Sequence, residues 1–242
     1  MKTHTQTKNN NRERNNIALN QSRMPFVEAL EAYKEEHFVP FHTPGHKIGV
    51  GAPATLKAWM DPALPYDLGV MYALDDLHEP EGSLKEAQDL AAQLYGADYT
   101  WFSINGTTAL IETMIMGTVG AGDTIIIPRE AHRSVMGGLI LSGAKPVYLE
   151  GRFDERFGVP LGTTPSEVET VLNEHPEAKA IVLVNPNYYG IAIDLEAIVL
   201  LAHKKGVIVL VDEAHGAHLP FGKNLPKKCL GLRRRFSGTK YA

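Results

Sequence analysis

The sequence predicts an α/β fold, a mostly parallel sheet with helices on both faces. Three observations predict it. Short apolar runs rich in β-branched residues, such as Thr124 to Pro128 and Val207 to Val211, read as buried strands. Between them lie longer stretches whose apolar residues recur at helical spacing. Glycine, hydroxyl and imidazole groups gather at the junctions just past the strands, where open α/β sheets hold their ligands.

The elements follow in order. Residues 1–22 form a polar tail that includes Lys8-Asn9-Asn10-Asn11-Arg12-Glu13-Arg14-Asn15-Asn16, with almost nothing to bury and no apolar segment of a secretory signal. Residues 23–82 make an N-terminal helix and an irregular arm. In the helix, Phe26, Leu30 and Tyr33 share a face; the arm carries Phe41-His42-Thr43-Pro44-Gly45-His46-Lys47, a Pro-Gly turn running into a glycine-rich loop. The large domain occupies residues 83–226. It opens on a helix from Ser83 to Tyr95, with Ser83 as N-cap, Glu86 completing a capping box, and Gly96 as the stop. A strand at 99–104 and a helix at 107–120 follow. Next come a strand at 124–128, a helix at 132–142 and a strand at 145–149. The pattern ends with a helix at 165–174, a strand at 179–185, a helix at 194–205 and a strand at 206–212. Residues 227–242 stand apart as a basic tail.

At 242 residues, with 44% hydrophobic and 21% charged, the chain can bury a core. A net charge of −4 gives no reason to expect nucleic acid or an anionic membrane as partner. The single cysteine, Cys229, excludes an internal disulfide and fits a reducing cytoplasm. No metal-ligand spacing is present, and no apolar run approaches the ~18 residues of a membrane span.

The chemistry lies at the junctions. In Ser103-Ile104-Asn105-Gly106-Thr107-Thr108, a glycine, two threonine hydroxyls and the N-terminus of a helix make either a phosphate cradle or an ordinary capped helix start. In Pro128-Arg129-Glu130-Ala131-His132-Arg133-Ser134, the His132 ring can cover a flat aromatic cofactor or cap the following helix. Asn185-Pro186-Asn187-Tyr188-Tyr189-Gly190 places Asn187 and two phenols where one of them could hydrogen-bond a ring oxygen, or where a plain turn suffices. Asp212 closes the last apolar run and leads into Glu213-Ala214-His215-Gly216-Ala217-His218. A carboxylate buried there as the anion costs several kcal/mol unless a cation meets it, and a protonated pyridine nitrogen is such a cation. His215 or His218 could position that aspartate or a substrate carboxylate.

In this order, these segments together with Asp75-Asp76-Leu77-His78 resemble the Orn/Lys/Arg decarboxylase family, its bacterial arginine decarboxylase branch above all, over roughly residues 24–226. The resemblance implies the type I fold of pyridoxal-phosphate (PLP) enzymes, incomplete at the C-terminus, and the cofactor PLP. It implies phosphate contacts from Gly106, Thr107 and Thr108, stacking by His132, and a bond from Asp212 to the ring nitrogen, with His215 beside it as the second catalytic residue. It further implies decarboxylation of a basic amino acid, arginine before lysine or ornithine, by a cytoplasmic homo-oligomer. An aminotransferase or aldolase of the same fold fits the ordered motifs less well. His132-Arg133-Ser134 stands where relatives carry His-Lys-Ser. The role of the His42–Lys47 segment stays open.

The family continues with a Gly-Ala-Asp strand and Ser-x-His-Lys, whose lysine forms the Schiff base. This chain instead carries Lys227-Lys228 and Arg233-Arg234-Arg235 before Ala242. Allowed codons for Lys227 to Ala242, read one base later, spell KSALACGADLVVQST, which is that missing strand. The expectation is a frameshifted, truncated and inactive form with weak or no PLP binding.

Overall fold

The computed structural model describes residues 18–226. They divide at Phe102/Ser103 into two compact units. The sequence reading set a boundary at 82/83 instead, before a helix that packs within the first unit.

In the first unit, α1 (Pro25–Glu35) begins on proline at its first turn, where the missing N–H is harmless. A short α2 (Ala54–Met60) follows the Pro-Gly turn, and α3 (Ser83–Tyr95) packs against α1. Gly96 ends α3 in the left-handed conformation, at φ 70°. The capping box expected at Ser83 does not form. Gly82 is the N-cap, and the Ser83 hydroxyl is buried without a hydrogen-bond partner. The Asp75 carboxylate takes over the task from seven or more residues upstream, accepting the N–H groups of Gly82 (2.8 Å), Leu84 (3.0 Å) and Lys85 (3.3 Å). It also accepts those of Asp76 and Glu81, at 2.9 and 3.0 Å. An ionised carboxylate outcompetes a serine hydroxyl for orphan helix donors because the bond is charge-assisted and the helix N-terminus is positive.

The His42–Lys47 segment is a tightly bonded turn in this unit. His46 Nδ1 accepts the Gly49 N–H at 3.1 Å while Nε2 meets Asp67 at 3.0 Å. His42 bonds Tyr33 through Nε2 at 3.0 Å, and Lys47 Nζ donates to the His42 carbonyl at 2.5 Å. Lys47 and Ile48 both have φ near +50° (52° and 53°), a conformation held by those bonds.

The second unit is the sheet. Its helices and strands are α4 (Gly106–Met116), β1 (Thr124–Pro128), α5 (Arg133–Ser142), β2 (Lys145–Leu149), β3 (Arg152–Asp154), β4 (Val159–Gly162), α6 (Pro165–Glu174), β5 (Ala180–Val184), α7 (Leu195–Lys204) and β6 (Ile208–Asp212). Four strands run parallel in the order β2-β1-β5-β6, as the alternation of strands and helices implies. Ile126, Ile181 and Leu183 face one side, against Val168, Leu172 and Ile198 of α6 and α7. Ile125, Ile127, Ala180 and Val182 face the other, against Ile111 and Ile115 of α4 and Val135 of α5. The period-2 alternation of strand side chains thus feeds two cores, and the fold is a three-layer α/β/α arrangement.

The structure departs from the sequence-based elements in three places. Residues 99–104 form no strand: Tyr99 stacks on Trp101 with ring centres 5.6 Å apart, and a strand needs a neighbour that the four-stranded order does not offer among the described residues. The helix expected over 107–120 stops at Met116, with Gly117 as its C-cap. The antiparallel β3–β4 pair went unread; Asp154 closes its turn by accepting the N–H groups of Phe157 and Gly158, where Gly158 has φ 66°. The proposed out-of-frame tail lies outside the described residues.

Candidate functional site

The parallel register brings the strand ends together. Pro128 pairs with Leu149, and Val184 pairs with Asp212. The loops leaving β1, β5 and β6 therefore open on one edge of the sheet, beside the N-termini of α4 and α5. A cavity of about 470 Å³ lies there, lined by Thr107, Thr108, Glu130, His132, Ser134, Val184, Tyr188, Asp212, Ala214 and His215. Six of the residues singled out from sequence, Thr107, Thr108, His132, Tyr188, Asp212 and His215, share its wall.

Gly106 is the first residue of α4 and does not itself line the cavity. It has φ 69°, and a Cβ placed on it would meet nothing within 4 Å. The side chain of the N-cap residue Asn105 accepts no N–H of α4. The first N–H groups of α4 thus lack a side-chain acceptor and stand next to the Thr107 and Thr108 hydroxyls, which is a fitting seat for a phosphate dianion.

His132 takes the capping role, and it also lines the cavity. It is the N-cap of α5, in extended backbone at φ −61° and ψ 152°, with Nδ1 accepting the Ser134 N–H at 3.2 Å. The Ser134 hydroxyl lies 2.9 Å from the same nitrogen and donates to it. A ring whose Nδ1 accepts in this way carries its hydrogen on Nε2 when neutral.

Asp212 is buried, 6% exposed. Its Oδ1 accepts the Ala214 N–H at 3.0 Å. No ion pair reaches it among the described residues. Neither His215 nor His218 hydrogen-bonds it; the backbone of Ala214 positions it instead. His215 rests edge-on against Tyr188, with ring centres 5.7 Å apart. His218 precedes a short 3-10 turn at Leu219–Phe221 and is not part of the cavity wall.

Asn187 is spent. Its amide donates to Glu130 Oε2 (3.1 Å) and to the Pro160 carbonyl (2.9 Å), while its oxygen accepts the N–H groups of Tyr189 and Ile191. With both donors and its acceptor committed, it clamps three loops together and has no group left for a ring oxygen. Of the two phenols, Tyr188 lines the cavity and Tyr189 does not.

Glu130 is the residue that sequence reasoning passed over. It is half-buried, and burial lifts its carboxyl above the ordinary range, with the Asn187 amide pulling partly back. The available signal was its place just past the end of β1, two residues before His132.

Among the described residues, no cluster of metal-ligating side chains occurs, and no helix is long and apolar enough to cross a membrane.

Residues 24–238 match the family described as Orn/Lys/Arg decarboxylase, major domain. The chain is 45% identical to the arginine decarboxylase of Bacillus cereus over 213 residues, 88% of this chain and 46% of that one. It is 44% identical to the arginine decarboxylase of Bacillus subtilis over 209 residues, 86% of this chain and 43% of that one. The chain therefore spans less than half the length of these curated relatives. Among solved structures, lysine decarboxylase A from Pseudomonas aeruginosa superposes with a TM-score of 0.68 at 27% identity, covering 82% of this chain and 29% of that one. The cofactor of this group of enzymes is pyridoxal phosphate, and the free helix N-terminus, the two threonines and the buried, unpaired Asp212 suit its phosphate and its ring. The chain belongs to the Orn/Lys/Arg decarboxylase family and carries part of its PLP-type major domain.

Proposed function

We propose that the cavity is the PLP site of a decarboxylase for basic amino acids, with arginine the first candidate because relatives at 44% and 45% identity bear that name. The observation that carries the reading is the shared wall of Thr107, Thr108, His132, Asp212 and His215. Gly106, Thr107 and Thr108 would seat the phosphate on the N-terminus of α4. Asp212 would take the protonated ring nitrogen and keep it protonated, since a buried carboxylate without a counter-ion gains most from a cation. His132, with Nδ1 held by Ser134, would lay its ring along the cofactor face. His215, braced on Tyr188, would stand at the mouth of the site beside the substrate. When bound, PLP supplies an electron sink for the electrons left behind by the departing carboxylate.

No lysine lines the cavity among the described residues. This chain by itself would hold the cofactor through non-covalent contacts alone and lack decarboxylase activity. In the complete protein we place the site in a cytoplasmic homo-oligomer acting on a free amino acid.

The test is an absorbance titration of the full chain with PLP. Binding is expected, and borohydride should leave no pyridoxyl group on any of its peptides. Asp212→Ala removes a charge-assisted bond of about 1.5–3 kcal/mol and is expected to weaken PLP binding roughly 10- to 100-fold. The paired change Thr107→Ala and Thr108→Ala should weaken it as well. Equal PLP affinity in all three proteins would refute the assignment of the cavity.

A further inference from the structure

We propose that Glu130 receives the cationic end of the substrate side chain and thereby selects a basic amino acid; the inference rests on the reading of the cavity given above.

Two carboxylates line the cavity, Asp212 and Glu130. Neither forms an ion pair among the described residues. The pyridine nitrogen of the cofactor would use one of these negative charges. The other is left with no resident partner but the neutral amide of Asn187, 3.1 Å from Oε2. That amide is itself fixed by Pro160, Tyr189 and Ile191, so Glu130 is presented from a rigid support rather than from a swinging loop. Its raised pKa has burial as the largest cause, as for an anion stripped of water without a charge to replace it. Glu150, close in the same region, is the contrast. Bound through two oxygens to Arg129, at 2.9 and 3.1 Å, it already has its cation, and its pKa is lowered by that bond.

Space is available beside it. Glu130 is also part of the wall of a second cavity of about 190 Å³, under the β3–β4 hairpin, to which Phe153, the mutually paired Arg129 and Glu150, and the exposed Arg152 contribute. That volume is below the ~300 Å³ of a typical complete ligand site, and it suits the far end of a side chain whose α-carbon stays in the larger cavity. A guanidinium or ammonium group reaching Glu130 forms a charge-assisted hydrogen bond. An uncharged side chain of the same length leaves the carboxylate dehydrated and unmatched, and sites built on such a polar contact reject the analogue lacking it.

The experiment is calorimetric titration of the full chain, with PLP present, by L-arginine and by L-norleucine. The parent is expected to prefer arginine. Glu130→Gln, which keeps an oxygen for the Asn187 amide, is expected to weaken arginine binding at least tenfold while norleucine changes less than twofold. Glu130→Asp, which keeps the charge, should recover part of the loss. Equal arginine affinity in Glu130→Gln, no arginine binding to the parent, or no preference of the parent for arginine each overturns the proposal. PLP affinity, read by absorbance on the same proteins, separates the two ideas. PLP binding with an arginine preference indifferent to Glu130 removes this inference alone. Failure of PLP to bind removes the cofactor assignment, and a Glu130-dependent arginine preference then still upholds this one.

Discussion

Gly138→Val is expected to destabilise the protein by about 3 kcal/mol, the upper part of the range for overpacking a filled interior. Gly138 sits where α5 crosses α4. A Cβ there would stand 2.7 Å from Ile115 Cδ1 and 3.0 Å from Ile115 Cβ, and Ile115 is fully buried. The Cδ1 could swing aside, but the Cβ cannot move without its helix. Valine adds two more methyl groups to that contact. Such a loss lowers Tm on the order of 10 °C for a chain of this length. Thermal melts of the full chain measure it, and the double variant Gly138→Val with Ile115→Ala should recover part of the loss because the two side chains compete for one volume. A Tm within about 2 °C of the parent would mean that the helices separate at little cost. The same two helices present Thr107, Thr108, His132 and Ser134 to the cavity, so PLP affinity should fall together with stability.

Asp75→Ala is expected to cost a similar amount, about 3 kcal/mol, through a different cause. Five backbone N–H groups lose their charged acceptor at once, and each such bond contributes on the order of 1 kcal/mol net when partly exposed. Alanine must also adopt the left-handed backbone of Asp75, at φ 71°, which aspartate and asparagine tolerate better. Asp75→Asn keeps that tolerance and a neutral acceptor, so an intermediate loss is expected. Hydrogen exchange should rise at the amides of Glu81, Gly82, Leu84 and Lys85; unchanged exchange there would exclude the carboxylate as their anchor. The pH dependence has a definite sign. Burial alone would raise the Asp75 pKa, but the N–H groups of Glu81, Asp76, Gly82 and Lys85 outweigh it, and the folded value lies below the ordinary one. The stabilisation is therefore complete above the unfolded pKa of about 3.9. It fades as the pH falls through the lower folded value. In Asp75→Asn this acid-side contribution should be missing.

The layer architecture was legible because it depends on periodicity. Runs such as Ile125-Ile126-Ile127 and Ile181-Val182-Leu183 can be satisfied only by a sheet buried on both faces. Site residues at strand ends were legible for the same reason: once β1 and β6 are located, His132, Asp212 and His215 fall at the ligand edge. Contacts between distant segments were not legible. Nothing in the local pattern says that Asp75 rather than Ser83 caps α3, since that choice depends on how the intervening loop folds back. Asn187 and Glu130 are similar cases. Each belongs to a polar turn by composition, and only the approach of the β3–β4 hairpin, which brings the Pro160 carbonyl within 2.9 Å, shows that one is a clamp and the other is held by it. Residues 99–104 misled because aromatic and β-branched residues favour strands only where a strand partner exists.

The bond between His132 Nδ1 and the Ser134 N–H has an evolutionary consequence. One side chain ends a helix and also faces the cavity, so drift at this position is tested twice over. Asparagine or aspartate could preserve the helix end yet would remove the ring, and phenylalanine or tyrosine would restore a flat face yet leave the helix donors open. No single substitution meets both demands while the ring is in use. In descendants that lose the chemistry only the helix end still constrains the position, and asparagine, aspartate or serine satisfies it. In such lineages the imidazole would give way to a plain helix cap, so loss of this histidine with α5 intact would mark loss of the activity.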